Sequence, residues 1–144
     1  MDPIVEIVEA AEREVLAHTI ESTRGLRAYL CLHGRETELG LLQEEAVRRG
    51  LYRYMGERYA QELGATLCRT RRCILSGQIQ TEDALKQYLS LAAETLVRFR
   101  DLDLVINDLL IEARQTGLYS LVALVRARSE CALHSAPHQP RTKE

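Results

Sequence analysis

Apolar residues recur at spacings of three and four through most of this chain, and nowhere in the alternation of two that a half-buried strand requires. Asp2 and Pro3 supply a capping carboxylate followed by proline at the first helical position. From there one stripe runs through Ile4, Val8, Ala11, Val15, His18, Ser22, Leu26 and Tyr29. It predicts a single long helix that stops at Gly34, where a left-handed C-terminal cap suits glycine. A second helical region is expected from about Thr37 to Ser76. Gly40, Gly50, Gly56 and Gly64 interrupt it, each costing about 1 kcal/mol against alanine, which places a kink or break near Gly50.

The third stretch has the clearest pattern. Thr81 is its expected N-cap, and Glu82 and Asp83 put negative charge in the first turn. Leu85, Leu89, Ala92, Leu96, Phe99, Asp103, Ile106, Leu110 and Ala113 then form a heptad seam, flanked by a second row of Tyr88, Leu102, Val105 and Leu109. Gly117 ends it. A shorter helix follows from about Leu118 to Leu133 with Leu121, Leu124 and Val125 inward, and the polar SAPHQPRTKE of residues 135–144 reads as a disordered tail.

Short connections force antiparallel neighbours. The expected fold is therefore all-α: an up-down antiparallel bundle of three long helices plus a short fourth, over residues 1–134. Unbroken helices of this length would be about 45–60 Å long. A bundle so thin exposes apolar flanks, which points to a homodimer.

Composition sharpens this picture. A chain of 144 residues can bury a core of its own, so its four cysteines, with no CxxC pair, are expected as reduced thiols packed as small apolar groups. The acidic opening MDPIVEIVEAAERE has no basic leader followed by an apolar run, and no apolar stretch is long enough to span a bilayer. A cytoplasmic protein without membrane contact is the expectation.

Candidate chemistry is sparse. In RAYLCLHG, Arg27 stands six positions before His33, which resembles the Rx4-6H motif of HEPN-type RNases. That likeness implies a histidine general acid/base beside a charged stabiliser in a dimer cleft. Arg13 to His18 and Arg128 to His134 fit the same motif, and an imidazolium at a helix C-terminus is favourable without any catalysis. EREVLAHTIESTRGL resembles the helix that carries the phosphorylated histidine of two-component bundles, which implies His18 as phosphoacceptor. His18 lies on the apolar seam, however, and Asp103 is the misplaced polar residue of the third seam. A buried polar layer of His18 with Asp103, fixing register or assembly, is the preferred expectation.

Di-iron bundles need two Glu-x-x-His elements, zinc needs closely spaced Cys and His, and a phosphate loop needs clustered glycines before Lys-Ser/Thr; the chain has none of these. No cofactor or metal is expected. Cys68 and Cys73 lie about 140° apart around a helix, and of the acids Asp101, Asp103, Asp108 and Glu112 only the last two are one turn apart.

The charge distribution is more informative than the net charge of −2. Between Arg48 and Arg72 seven arginines face only Glu57 and Glu62, with Tyr52, Tyr54 and Tyr59 interleaved, a net charge of +5. Arginines grip phosphates and tyrosines stack on bases, so Arg53, Tyr54, Arg58, Arg69, Arg71 and Arg72 are candidate nucleic-acid contacts. EEAVRRGLYRYMGERY also resembles a helix-turn-helix. Against this, the first 21 residues carry six acids and only Arg13, net −5, and an adjacent first and second helix would neutralise each other.

The expected function is thus a small non-enzymatic adaptor, regulatory or accessory protein acting through protein–protein contacts, as a homodimer. A nucleic-acid-binding regulator using the Arg/Tyr-rich helix is the alternative. An RNase or phosphotransfer bundle comes third.

Overall fold

The computed structural model describes residues 2–135, with side chains through residue 131. The described residues are helical and contain no strand, in seven α-helices: α1 (Pro3–Leu16), α2 (Thr23–His33), α3 (Leu39–Arg48), α4 (Leu51–Leu75), α5 (Glu82–Ala93), α6 (Leu102–Gln115) and α7 (Leu118–Ser135). The all-α class expected from the periodicity is therefore observed. The layout of three long helices and a short one is not, because two of the expected long helices break. Residues 136–144, most of the expected tail, lie outside the described residues, and Ser135 closes α7. No helix among the described residues is long and apolar enough to cross a membrane.

The chain forms two compact units: Met1–Leu63 with Thr95–Leu102, and Gly64–Glu94 with Asp103–Glu144. In the first unit, α1 starts as its sequence dictates, the Asp2 carboxylate accepting the Ile4 N–H at 2.9 Å with Pro3 next in line. The helix then stops at Leu16 instead of continuing to Gly34. His18 takes φ 67°, a left-handed conformation that a non-glycine residue adopts at a cost of about 1 kcal/mol. Ile20, off the predicted stripe, thereby turns into the core. The Thr19 hydroxyl ties the turn back to Glu14, donating to its backbone carbonyl at 2.9 Å. Ser22 then caps α2, its Oγ accepting the Gly25 N–H at 2.9 Å. A residue placed on an apolar seam is thus an N-cap, and the seam itself belongs to two helices.

The core of this unit is Val8, Ala11 and Val15 of α1, Ile20, Leu26 and Leu30 of α2 and the turn before it, Leu42 and Ala46 of α3, and Leu51 and Met55 of α4. α1 packs on α2 and α3, and α2 packs on α3. Gly34 is extended (φ −108°, ψ 175°), so the expected left-handed cap is absent. Its glycine is required for space: a Cβ there would collide with Leu42 Cδ1. At Gly50 the break between α3 and α4 does use the left-handed region, with φ 75°.

The expected third helix is interrupted over 94–101. α5 begins as read, with Thr81 Oγ1 accepting the Ala84 N–H at 3.0 Å, and passes into a 3-10 turn at Glu94–Leu96. Neither glycine nor proline is present there; the break serves packing. Leu96 and Phe99 are buried in the first unit, to which Thr95–Leu102 belongs. α6 restarts at Leu102 with its buried face on Val105, Leu109 and Ala113. Ile106 and Leu110, expected at the seam centre, are only half-buried, whereas Val105 and Leu109 of the predicted flanking row are buried.

α4 is shared, its residues from Gly64 onward belonging to the second unit. There Thr66 and Thr70 are buried, and the Thr70 hydroxyl donates to the Thr66 carbonyl at 2.8 Å, which satisfies a polar group that would otherwise be expensive to enclose. α5 packs on α7. In α7, Leu118 and Val122 are buried while Leu121 and Val125 are half-buried and Leu124 is exposed, so the inward face differs from the expected one. Cys31, Cys68 and Cys131 are exposed free thiols and Cys73 is half-buried, which corrects the expectation that all four pack as core groups.

Gly34→Ala should lower the stability of the native state by about 1–3 kcal/mol, because Leu42 is fully enclosed and cannot yield. His18→Gly, at the other connection of α2, should be tolerated without loss. Urea unfolding of both variants measures the two effects.

Candidate functional site: the arginine-rich helix

The end of α3, the turn after it and helix α4 carry the seven arginines, and the two units treat them differently. In the first unit they meet acids. Arg49 donates through Nη1 to Glu12 at 2.9 Å and through Nε to Glu45 at 2.8 Å, and its Nη2 lies 3.7 Å from Glu9. One guanidinium therefore ties α3 to two carboxylates one turn apart on α1. Glu45 is buried, and Arg48 bonds its second oxygen. Hydrogen bonds from Arg48 and Arg49 outweigh its burial and hold its carboxyl below the usual carboxylate range; Glu45 and Glu12 in turn raise the Arg49 pKa.

Arg58, a candidate nucleic-acid contact in the sequence, is largely enclosed. Its Nη1 donates to Glu21 at 2.6 Å, and the two side chains are 19% and 13% exposed. Arg98 reaches the same carboxylate oxygen at 3.4 Å and Glu62 at 3.7 Å. Phe99 lies beneath both guanidiniums, 5.4 Å from Arg58 and 4.5 Å from Arg98, with the Tyr59 ring 5.7 Å away. Arg24 adds a 2.7 Å bond to Asp101. This network, from Glu21, Arg58 and Arg98, fastens the returning segment to the first unit. Arg53 is exposed and pairs at 3.3 Å with Glu57 one turn on.

In the second unit the arginines stand open. Arg69, Arg71 and Arg72 are all exposed; Arg69 donates to the Thr66 hydroxyl at 3.1 Å, and Arg71 and Arg72 enter no ion pair among the described residues. Tyr88 of α5 lies close to Arg69 and Arg72 and hydrogen-bonds Cys73. Burial, aided by that bond, pushes its phenol pKa up. Tyr52 in the first unit is raised by burial against the opposing charge of Arg27.

The histidines are not where the stripe put them. His18 lies exposed in the turn after α1, its Nε2 3.3 Å from the Tyr54 hydroxyl. Asp103 is exposed in the first turn of α6. Neither residue is buried, so the expected polar layer of His18 and Asp103 does not form; the reason is the left-handed turn, which swings His18 off the α1 face. Tyr54, a candidate base-stacking side chain, is half-buried against the first core. Arg27 and His33 lie about 240° apart around α2, and the His33 ring stacks on Tyr29 with centroids 4.2 Å apart. Among the described residues no group of three His, Cys, Asp or Glu side chains is placed to hold a metal ion.

Two features escaped sequence reasoning. The Glu21–Arg58–Arg98 network joins residues far apart in the chain and has no local signature. The Glu45 clamp had one, an acid three and four residues before two arginines, which is a helix pairing pattern. Comparisons with protein-family models, with curated proteins and with solved structures give no match.

Glu45 titrates with a folded-state pKa below its ordinary value near 4.5. Its contribution to stability is therefore complete above that value and is lost as pH falls through the depressed folded one. Glu45→Gln should weaken the protein at pH 7 and narrow its disadvantage relative to the unsubstituted chain as pH falls below about 4, measured by urea unfolding at stepped pH.

Proposed function

We propose that this chain is a non-enzymatic helical module that works by presenting helix faces to another protein, as adaptor, regulatory and accessory subunits do. One observation carries the reading: Arg49 and Arg58 of the basic segment are satisfied by carboxylates of their own unit. Two of the seven arginines thus have an internal use. Large apolar side chains also stand open on the surface, notably Leu32 at 79% exposed, with Val47, Leu91, Leu104 and Ile111. Isolated exposed leucines are ordinary, but Leu104 and Ile111 lie two turns apart on one face of α6.

A second reading is favoured by Arg69, Arg71 and Arg72, which crowd the last two turns of α4 without acidic partners for the last two. Here the chain is a nucleic-acid-binding factor, and the arginines make phosphate contacts. Fluorescence anisotropy of labelled RNA and DNA over a salt series separates the readings, run beside an Arg69→Glu, Arg71→Glu, Arg72→Glu variant. No binding at low salt is the expected result. Binding with a steep salt dependence that the variant loses would overturn the protein-contact reading.

A further inference from the structure

Between Ser22 and Arg35 the chain carries three arginines and no acid, and α2 occupies nearly all of this stretch. The helix buries Leu26 and Leu30 and packs on α1 and α3. Its outer side holds Arg24, Ala28 and Leu32 in one row, each one turn from the next, with Arg27 and Cys31 in the row beside. All five are exposed and lie within about 140° of the helix circumference. Leu32, at 79%, is the most open large apolar side chain among the described residues. Ala28 and Cys31 are short and stand between Arg27 and Leu32 on the helix circumference, which leaves a shallow apolar recess between two longer side chains.

Positive charge is badly placed here for the helix itself. Arg24 and Arg27 fall in the first two turns of α2, where the positive end of the helix dipole disfavours cations. The chain relieves Arg24 with a carboxylate from a remote segment: Asp101 accepts from its Nη2 at 2.7 Å, and both side chains are more than half exposed. Arg27 and Arg35 have no such relief and enter no ion pair among the described residues. Arg27 has the Tyr52 phenol nearby, and Glu38 accepts from the backbone N–H of Arg35 at 3.1 Å.

We infer that the outer side of α2 is a docking surface for an acidic amphipathic helix of a partner protein. The partner sets carboxylates on Arg27 and Arg35, as Asp101 already does on Arg24, and lays an apolar side chain over Ala28 and Cys31 against Leu32. Charge selects the occupant, because every ionised group on this side of α2 is a cation. A bilayer surface meets the same cations, but interfacial insertion needs a broad apolar face. With one large apolar side chain beside a recess, α2 offers a seat for a side chain and not a wedge for lipid.

The contact is small. One apolar anchor and two exposed charge pairs fall at the low end of specific interfaces, below about 1,200 Å² in total, and a dissociation constant on the order of 10–100 µM follows. The inference rests on the reading that the chain works through protein contacts, and it names the surface and the chemistry of the partner.

Fluorescence anisotropy tests it with a labelled helical peptide of about 15 residues, built of Glu and Leu with the leucines at spacings of three and four, titrated with the full chain to about 500 µM. The peptide should bind, and its counterpart with Lys in place of Glu should not. Arg27→Glu and Leu32→Ser, both at exposed positions and checked for unchanged helicity by circular dichroism, should each weaken binding roughly tenfold or more. Arg128→Glu, an equal change of charge on the exposed part of α7, should leave it unaltered. No binding, or binding indifferent to Arg27→Glu and Leu32→Ser, or equally sensitive to Arg128→Glu, overturns the inference. Co-sedimentation with vesicles of phosphatidylserine and phosphatidylcholine is the second arm. Retention on the vesicles that Arg27→Glu and Leu32→Ser abolish would assign this side of α2 to a membrane and overturn it as well. Each of these failures leaves the wider protein-contact reading to the nucleic-acid titration, which turns on Arg69, Arg71 and Arg72 and not on α2.

Discussion

One carboxylate, Glu21, holds two guanidiniums that are remote in sequence, and the layout of the chain depends on it. Arg58 comes from α4 and Arg98 from the segment between α5 and α6; both converge on the Oε2 of Glu21 above the Phe99 ring. The anion balances charges that would otherwise repel, and the ring offers both cations a face while burying its own area. Breaking a helical seam at 94–101 forfeits several backbone hydrogen bonds. The enclosed Leu96 and Phe99, together with the shared ion pair, offset that loss.

The same principle governs Arg49. A guanidinium has five donors in a planar fork, and Arg49 directs them at Glu12, Glu45 and the nearby Glu9. α1 and α3 are thereby joined across a surface whose apolar side is Val8, Ala11, Leu42 and Ala46. Apolar burial supplies the cohesion and the charges fix which helix faces which. A positively charged segment read in isolation looks like a ligand surface; beside its acidic neighbour it is a joint.

Helicity, most caps and the break at Gly50 were legible in the sequence because each depends on residues within one or two turns. Asp2, Thr81 and Gly50 behave as their types predict. The breaks at His18 and at 94–101 were not legible. In both cases tertiary burial, of Ile20 and of Phe99, overrides an intact local periodicity, and no glycine or proline announces it. His18 and Asp103 followed from that error: a polar residue on a seam is buried only if the seam is one helix. The partners of Arg58 are hidden for the same reason, since Glu21 and Phe99 are distant in the chain, whereas Arg53, Arg69, Arg71 and Arg72 are exposed as their residue type suggests. The candidate site was therefore legible in its residue types and illegible in its partners.

The discontinuity of the first unit bears on how the chain acquires its structure during synthesis. Residues to Leu63 leave the ribosome well before Thr95–Leu102, with the whole of Gly64–Glu94 between them. Until that later piece arrives, Glu21 and Arg58 have only each other and the place of Leu96 and Phe99 is open to water. Helices α1 to α3 can condense early, because their contacts are local, but closure of the unit waits on vectorial growth of the chain. The order of events is thus written into the threading, and a nascent chain passes through a stage in which an apolar cleft is exposed to chaperones before its own strap can fill it.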